Sequence, residues 1–153
     1  MKRILVFCAF ALVIVACHKD KVESTPHVTF KSFNQNVLDT FDSQLRITLE
    51  FTDQEGDLDS VYVVRRRLNV HDASPKTKIL DYGVPEFSGQ NKGELFLLLN
   101  KQNDLLVDLN QIRIPGSIPT RYEPDTLQLR FFAKDKAKHT SDTTSPKQVI
   151  VIH

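Results

Sequence analysis

Residues Leu45 to Thr52 alternate without a break. Leu45, Ile47, Leu49 and Phe51 fall on one side, and Arg46, Thr48, Glu50 and Thr52 on the other. A period of two sets one face against a core and the other in water, so the segment predicts a half-buried strand. Asp125 to Ala133 repeats the pattern, with Leu127, Leu129, Phe131 and Ala133 inward. Val61 to Leu68 and Gln148 to Ile152 are rich in β-branched residues and similar in length, which predicts two more strands. His27 to Phe33 adds another, with Val28 and Phe30 in alternation.

The middle of the chain is patterned differently. Glu94 to Asn100 is an apolar run that suits a buried strand. Leu105 to Leu109 fits either a strand or one helical turn. Ile112, Ile114 and Ile118 are interrupted by Pro115, Gly116 and Pro119, which predicts irregular backbone. Turn signals stand at Glu55-Gly56, Ser88-Gly89 and Lys92-Gly93. No amphipathic helix of three turns follows residue 26. These elements predict an all-β domain over residues 27–153, an antiparallel β-sandwich of about seven strands, with the strand order of residues 70–122 left open. There is no internal repeat and no low-complexity segment.

The first residues follow another logic. Met1-Lys2-Arg3 is a basic start, and Ile4 to Val15 then runs without a charge. A helix needs about 20 residues to span a bilayer core, so this run is too short to cross comfortably. It has the length of a signal-peptide apolar region, about 7–15 residues, with the small residue Ala16 at the cut. Cys17 comes next. Ile14-Val15-Ala16-Cys17 resembles the lipobox of bacterial lipoproteins, with Ile14 where that family prefers Leu. The resemblance implies removal of residues 1–16, lipid on the Cys17 sulfur, and a new N-terminus at Cys17. Several acyl chains, at about 0.8 kcal/mol per buried CH₂, hold a protein stably on a membrane.

Residues 17–26 then form the lipidated N-terminus and a polar tether. The stretch from His18 to Pro26 reaches at most about 30 Å when extended. In lipoprotein sorting an Asp after the cysteine retains the protein at the inner membrane. His18 stands there, so the resemblance favours the outer membrane and leaves open the periplasmic face or the cell surface. His18-Lys19-Asp20-Lys21 matches in part the surface-export tags of Bacteroidetes-type bacteria. The only cysteines are Cys8 and Cys17, so processing would leave a domain without a free thiol or a disulfide, held by its packed core alone.

Charge removes one class of partner. There are 20 basic and 19 acidic residues, so no positive field exists to hold phosphates and no nucleic-acid partner is expected. With the signal peptide gone, Lys2 and Arg3 are lost, and 18 basic residues face 19 acidic.

Asp53, Glu55, Asp57 and Asp59 alternate around Gly56. Clustered carboxylates suit calcium, which takes about six to eight oxygens. An EF-hand is excluded, because Gly56 is the fourth residue from Asp53 and the twelfth is Val64 rather than Glu. The segment Phe51-Thr-Asp-Gln-Glu-Gly-Asp-Leu58 is similar to an F-T-D-x-x-G-D-L turn of small lipoproteins of Bacteroidetes-type bacteria. That resemblance implies an immunoglobulin-like β-sandwich and brings no established activity. It also implies a late strand, an Asp-bearing loop and a final strand, matched by Phe131–Asp135, Lys136–Thr140 with Ser141, and Val149–Ile152. Related loops read D-x-x-G, whereas this chain has Lys138 in the glycine's place. Immunoglobulin-like connections would bring Asp135 towards Asp53 and Asp57, so Asp53, Glu55, Asp57 and Asp135 are the candidate calcium ligands. The plainer reading is a turn in which Asp side chains cap backbone N–H groups.

Arg65, Arg66 and Arg67 lie within a predicted strand, where alternation sends Arg65 and Arg67 to one face and Arg66 to the other, so one of them must sit at an edge, a strand end or a polar pocket. The readings are an anion or sulfated-glycan contact, or cross-strand pairing with residues such as Glu50. His18, His27, His71, His139 and His153 have no zinc-motif spacing and read as surface residues. Phe41, Tyr82, Phe87 and Tyr122 sit in predicted loops or strand starts, as a binding patch or as pins to the core.

No Gly-x-Ser-x-Gly elbow and no Gly-rich phosphate loop occurs. The expectation is a lipid-anchored, non-enzymatic envelope module that contacts a protein or glycan, with no cofactor beyond calcium. The alternatives are a small carbohydrate-processing hydrolase, which needs two carboxylates about 5–9.5 Å apart in a cleft, and a structural spacer.

Overall fold

A computed structural model describes residues 24–71, 76–85, 90–107 and 110–153. Cys8, the lipobox, Cys17, His18, Phe87 and the Ser88-Gly89 turn lie outside the described residues, as do 108 and 109.

Among the described residues ten strands follow one another: β1 (His27–Phe33), β2 (Val37–Leu38), β3 (Gln44–Thr52), β4 (Leu58–Arg67), β5 (Thr77–Gly83), β6 (Lys92–Asn100), β7 (Ile112–Arg113), β8 (Tyr122–Glu123), β9 (Asp125–Asp135) and β10 (Lys147–Val151). Three form one sheet in the order β1-β3-β6, and five form the other in the order β2-β10-β9-β4-β5. β7 and β8 make a separate ribbon. β1 runs antiparallel to β3 in the first sheet, and β2 runs parallel to β10 in the second. The opening segment therefore switches sheets. Counting β1 and β2 as one switching strand gives seven strands, and the fold is an immunoglobulin-like β-sandwich.

The alternating positions make the core. Leu45, Ile47, Leu49 and Phe51 of β3 are buried against Leu127, Leu129, Phe131 and Ala133 of β9 and Val61 and Val63 of β4. Phe30 of β1 stacks on Phe131 of β9 across the sandwich, ring centroids 6.0 Å apart.

The middle departs from the sequence reading in three places. β6 is not buried on both faces. It is the edge of its sheet, with Leu95, Leu97 and Leu99 inward and Phe96 and Leu98 turned to solvent. Lys92-Gly93 is not a turn but the start of β6. Gly93 lies opposite Phe51, and a Cβ there would stand 2.9 Å from Phe51 Cε1. The glycine makes room for a core ring. Residues 112–123 are not wholly irregular, since the ribbon closes with Ile112 opposite Glu123. The stretch from Leu105 is neither strand nor helical turn over its described residues: Leu105 closes a π-helical turn, Lys101–Leu105, capped by the Asn100 side chain, and Leu106 and Val107 follow outside any element.

Candidate functional site

The strand ends sort into two ends of the sandwich. Asp53 after β3, Asp57 before β4 and Asp135 closing β9 meet at one end, where Leu58 is in register with Asp135 and the Lys136 N–H donates to the Asp57 carbonyl at 3.1 Å. The chain enters the domain here. Ser24 donates to Glu55 through its hydroxyl and through its N–H at 3.2 Å, and the Gln54 N–H donates to the Ser24 hydroxyl.

The two Asp-bearing loops at this end are built alike. In the first, Gly56 N–H donates to the Asp53 carbonyl at 3.2 Å, and Asp57 N–H donates to Asp53 Oδ2 at 2.8 Å. In the second, Lys138 N–H donates to the Asp135 carbonyl at 3.1 Å, and His139 N–H donates to Asp135 Oδ1 at 2.8 Å. The fourth residue is left-handed in both, with φ 65° at Gly56 and 75° at Lys138. Lys138 thus holds the backbone shape that favours glycine.

The loops differ at the fifth residue. His139 Nδ1 lies 2.7 Å from Asp135 Oδ2, so that carboxylate is engaged on both oxygens. Asp57 takes the corresponding place after Asp53, and it brings a second acid. Asp53 Oδ1 and Asp57 Oδ1 are both buried without a hydrogen-bond partner. Burial pushes the Asp53 carboxyl above its ordinary range, and the charges of Asp57, Glu55 and Asp135 push the same way against the Asp57 N–H. Glu55 moves down instead, held chiefly by the Ser24 hydroxyl.

Of the four candidate calcium ligands, Asp53, Asp57 and Asp135 are therefore brought to one end as expected. They do not make the four-carboxylate set. Glu55 is turned to Ser24, and Asp135 is turned to His139. As the side chains stand, no three acidic, histidine or cysteine residues among the described ones are grouped to hold a metal ion.

The opposite end carries buried charges of both signs. Arg65 and Arg67 both point inward from β4 and are almost fully buried. Arg67 forms an ion pair with Asp125, itself wholly buried. Arg65 donates to the carbonyls of Asp104 and Leu106, the latter at 3.3 Å. Burial lowers the Arg65 guanidinium and pushes the Tyr82 hydroxyl up to about 12, with the Asp104 charge adding to the Tyr82 shift. Pairing with Glu50 does not occur, because Glu50 faces Lys31 at 3.2 Å on the other sheet.

The histidines are not uniformly superficial. His153 stands 3.4 Å from Asp125 with a nearly covered side chain, and His139 is engaged as described, while His71 meets Glu123 at 2.9 Å. Sequence reasoning missed these pairings because they join residues far apart in the chain or hidden in a loop's geometry. Of the aromatic candidates, Tyr82 is half-buried, whereas Phe41 is 94% and Tyr122 53% exposed. Val70 and Ile118 are also exposed at this end, at 85% and 95%. Val70 N–H donates to Glu123, which joins this apolar group to the ribbon. A shallow hollow beside it is lined by Gln111, Tyr122, Pro124 and Ile152.

No family model matches the chain, and no curated protein matches it in sequence. Three solved structures share part of its shape. A β-glucosidase from Listeria innocua in complex with gluconolactone is 10% identical, with a TM-score of 0.45. The alignment covers 85% of this chain and 16% of that one. The sporulation control protein Spo0M from Bacillus subtilis is 9% identical at a TM-score of 0.43, over 85% of this chain and 50% of that one. The Listeria innocua β-glucosidase in complex with glucose is 10% identical at 0.41, again over 85% and 16%. The chain thus spans half or less of each of these proteins, and likeness at this level says nothing of what it binds.

Proposed function

We propose that this chain is a lipid-anchored, non-enzymatic module of the bacterial cell envelope, held to a membrane through Cys17 and contacting an envelope protein or glycan. One observation carries the binding half of the reading. Phe41, Val70, Ile118 and Tyr122 are exposed at the end of the sandwich opposite Ser24. Exposed apolar residues on the loops of one end supply the kind of groups a contact surface uses. An anchor attached beyond Ser24 leaves that end unobstructed. The lipid half rests on the lipobox alone, and the outer membrane on His18.

The test has two arms. Metabolic labelling with an alkynyl fatty acid is expected to mark the protein, and Cys17→Ser to abolish both label and membrane fractionation. Crosslinking in intact cells is expected to capture a partner that Phe41→Ser with Ile118→Ser loses. A label that persists in Cys17→Ser overturns the anchor, and capture unaffected by the double variant overturns the contact surface.

Calcium belongs to the proposal at the other end. The unpartnered oxygens of Asp53 and Asp57 favour a cation between them, and Asp135 would join by leaving His139. Millimolar calcium is expected to raise the melting temperature of the protein but not of Asp53→Asn. An unshifted melting curve removes calcium from the proposal.

A further inference from the structure

Arg65, Arg66 and Arg67 divide between the two faces of β4. The inner two are engaged, Arg67 by Asp125 and Arg65 by backbone carbonyls. Arg66 points the other way and is exposed. It stands in register with Gln128 of β9, and Arg130 follows two residues along on the same face, also exposed. The two arginines are thus diagonal neighbours on adjacent strands, about 7–8 Å apart and within reach of one another. Among the described residues neither guanidinium makes an ion pair or a hydrogen bond. Like charges at this spacing repel, and no described side chain offsets them.

The face around them is short of acid. The outward residues from Tyr62 to Arg66 on β4 and from Thr126 to Lys134 on β9 include no carboxylate. Lys134 adds a third cation, its ammonium 5.1 Å from the centre of the Tyr62 ring, which stacks on Phe132. Asp81 of β5 is in register with Tyr62, two rows of side chains away from Arg66. On the outer face of the other sheet Lys31 lies between Glu50 and Glu94 instead. The register of β4 with β5 and with β9 is unbroken from Val61 to Arg66, so the surface is even. Thr77, Arg66, Gln128 and Gln148 form one row across β5, β4, β9 and β10. Three strand spacings make that row about 14 Å long.

We infer that the outer face of the five-stranded sheet binds an acidic glycan, a polysaccharide bearing carboxylate or sulfate groups. Charge complementarity carries the anionic half of this inference. A guanidinium fork takes a carboxylate or sulfate bidentately, and Arg66 and Arg130 present two such forks to one stretch of ligand. The row beside them carries the sugar half. The Gln128 and Gln148 amides and the Thr77 hydroxyl both donate and accept, as sugar hydroxyls do. A phospholipid surface would engage the cations and leave this row idle. The chain as a whole has 20 basic and 19 acidic residues, so the attraction comes from the local arrangement and not from net charge. This face is distinct from the exposed apolar end, and the inference depends neither on that end nor on lipidation.

The test titrates the full chain, extracted in a non-ionic detergent, against labelled dextran sulfate, polygalacturonate and uncharged dextran at low salt. Binding of at least one charged polymer is expected, weakening as salt rises, with none of uncharged dextran. Arg66→Gln with Arg130→Gln is expected to lose at least about tenfold in affinity, the weight of one charge-assisted hydrogen bond. Arg46→Gln with Lys92→Gln removes the same charge from exposed positions of the other sheet and is expected to bind as the parent does. All four side chains are exposed, so both variants should melt with the parent. Failure of both charged polymers to bind, equal binding of uncharged dextran, or equal losses in the two variants overturns the inference. Displacement by soluble short-chain phosphatidylglycerol as readily as by unlabelled polymer would assign the face to a lipid surface and overturn it as well.

Discussion

Asp57 occupies after Asp53 the place that His139 occupies after Asp135. Each fifth residue donates its N–H to the carboxylate of its first at 2.8 Å, but only the imidazole side chain satisfies the acid's second oxygen. The first loop therefore sets a second acid beside its buried Asp53, where the second sets a base beside its buried Asp135.

This asymmetry makes stability depend on pH. The Asp53 carboxyl titrates above its unfolded value. Its contribution is thus fully present below the unfolded pKa and lost as pH rises through the folded one. At neutral pH the ionised Asp53 is a cost. Asp53→Asn retains an acceptor for the Asp57 N–H and removes the buried charge beside Asp57 and Asp135. It is expected to stabilise the protein at pH 7 by about 1 kcal/mol and to gain little at pH 4. Urea unfolding at both pH values checks this, and a destabilised variant at pH 7 rejects the account.

Lys138 makes a second prediction. A non-glycine residue in the left-handed region costs about 1 kcal/mol relative to glycine. Its ammonium lies 3.1 Å from Asp59, but that pair is exposed and contributes little. Lys138→Gly is therefore expected to be neutral or stabilising by less than about 1 kcal/mol, whereas Gly56→Ala, with φ 65°, should lose about 1 kcal/mol. Equal losses in both variants would show that the two turns are not equivalent.

How much of this was legible depended on whether the sequence signal was local. β3 and β9 follow from alternation because each has one dry face, and the inward residues read from the pattern are the buried ones. β5 has no such signal, since six of its seven residues are at least partly exposed and its existence depends on pairing with β4. β6 misled because its outer face is apolar without being covered. The meeting of Asp53, Asp57 and Asp135 was foreseeable from immunoglobulin-like connections. The orientation of Glu55 and the engagement of Asp135 were not, because both are decided by neighbours that the chain pattern does not specify.

Gly93 tests the packing argument. Its backbone lies beneath the Phe51 ring, so Gly93→Ala must displace a core side chain or the strand. Overpacking of this kind costs about 1–3 kcal/mol. The loss should shrink in Phe51→Leu, which removes the ring atoms the new methyl would meet. Additive losses in a double-mutant cycle of the two positions would show that the contact does not explain the glycine.

The ion pair of Arg67 with Asp125 makes the last prediction. Both side chains are essentially inaccessible. Breaking such a pair on one side leaves a buried charge, at about 3–5 kcal/mol, whereas replacing both partners with apolar residues is often neutral. Asp125→Asn and Arg67→Met alone are therefore expected to lose several kcal/mol, on the order of 3 or more. The double variant Arg67→Met with Asp125→Leu should recover most of the loss. His153, 3.4 Å from the other Asp125 oxygen, limits the recovery, because it loses its neighbouring carboxylate in the same variant. Urea unfolding of the three variants reads this directly. A double variant as unstable as the sum of the single ones would mean that the two charges support the fold separately rather than as a pair.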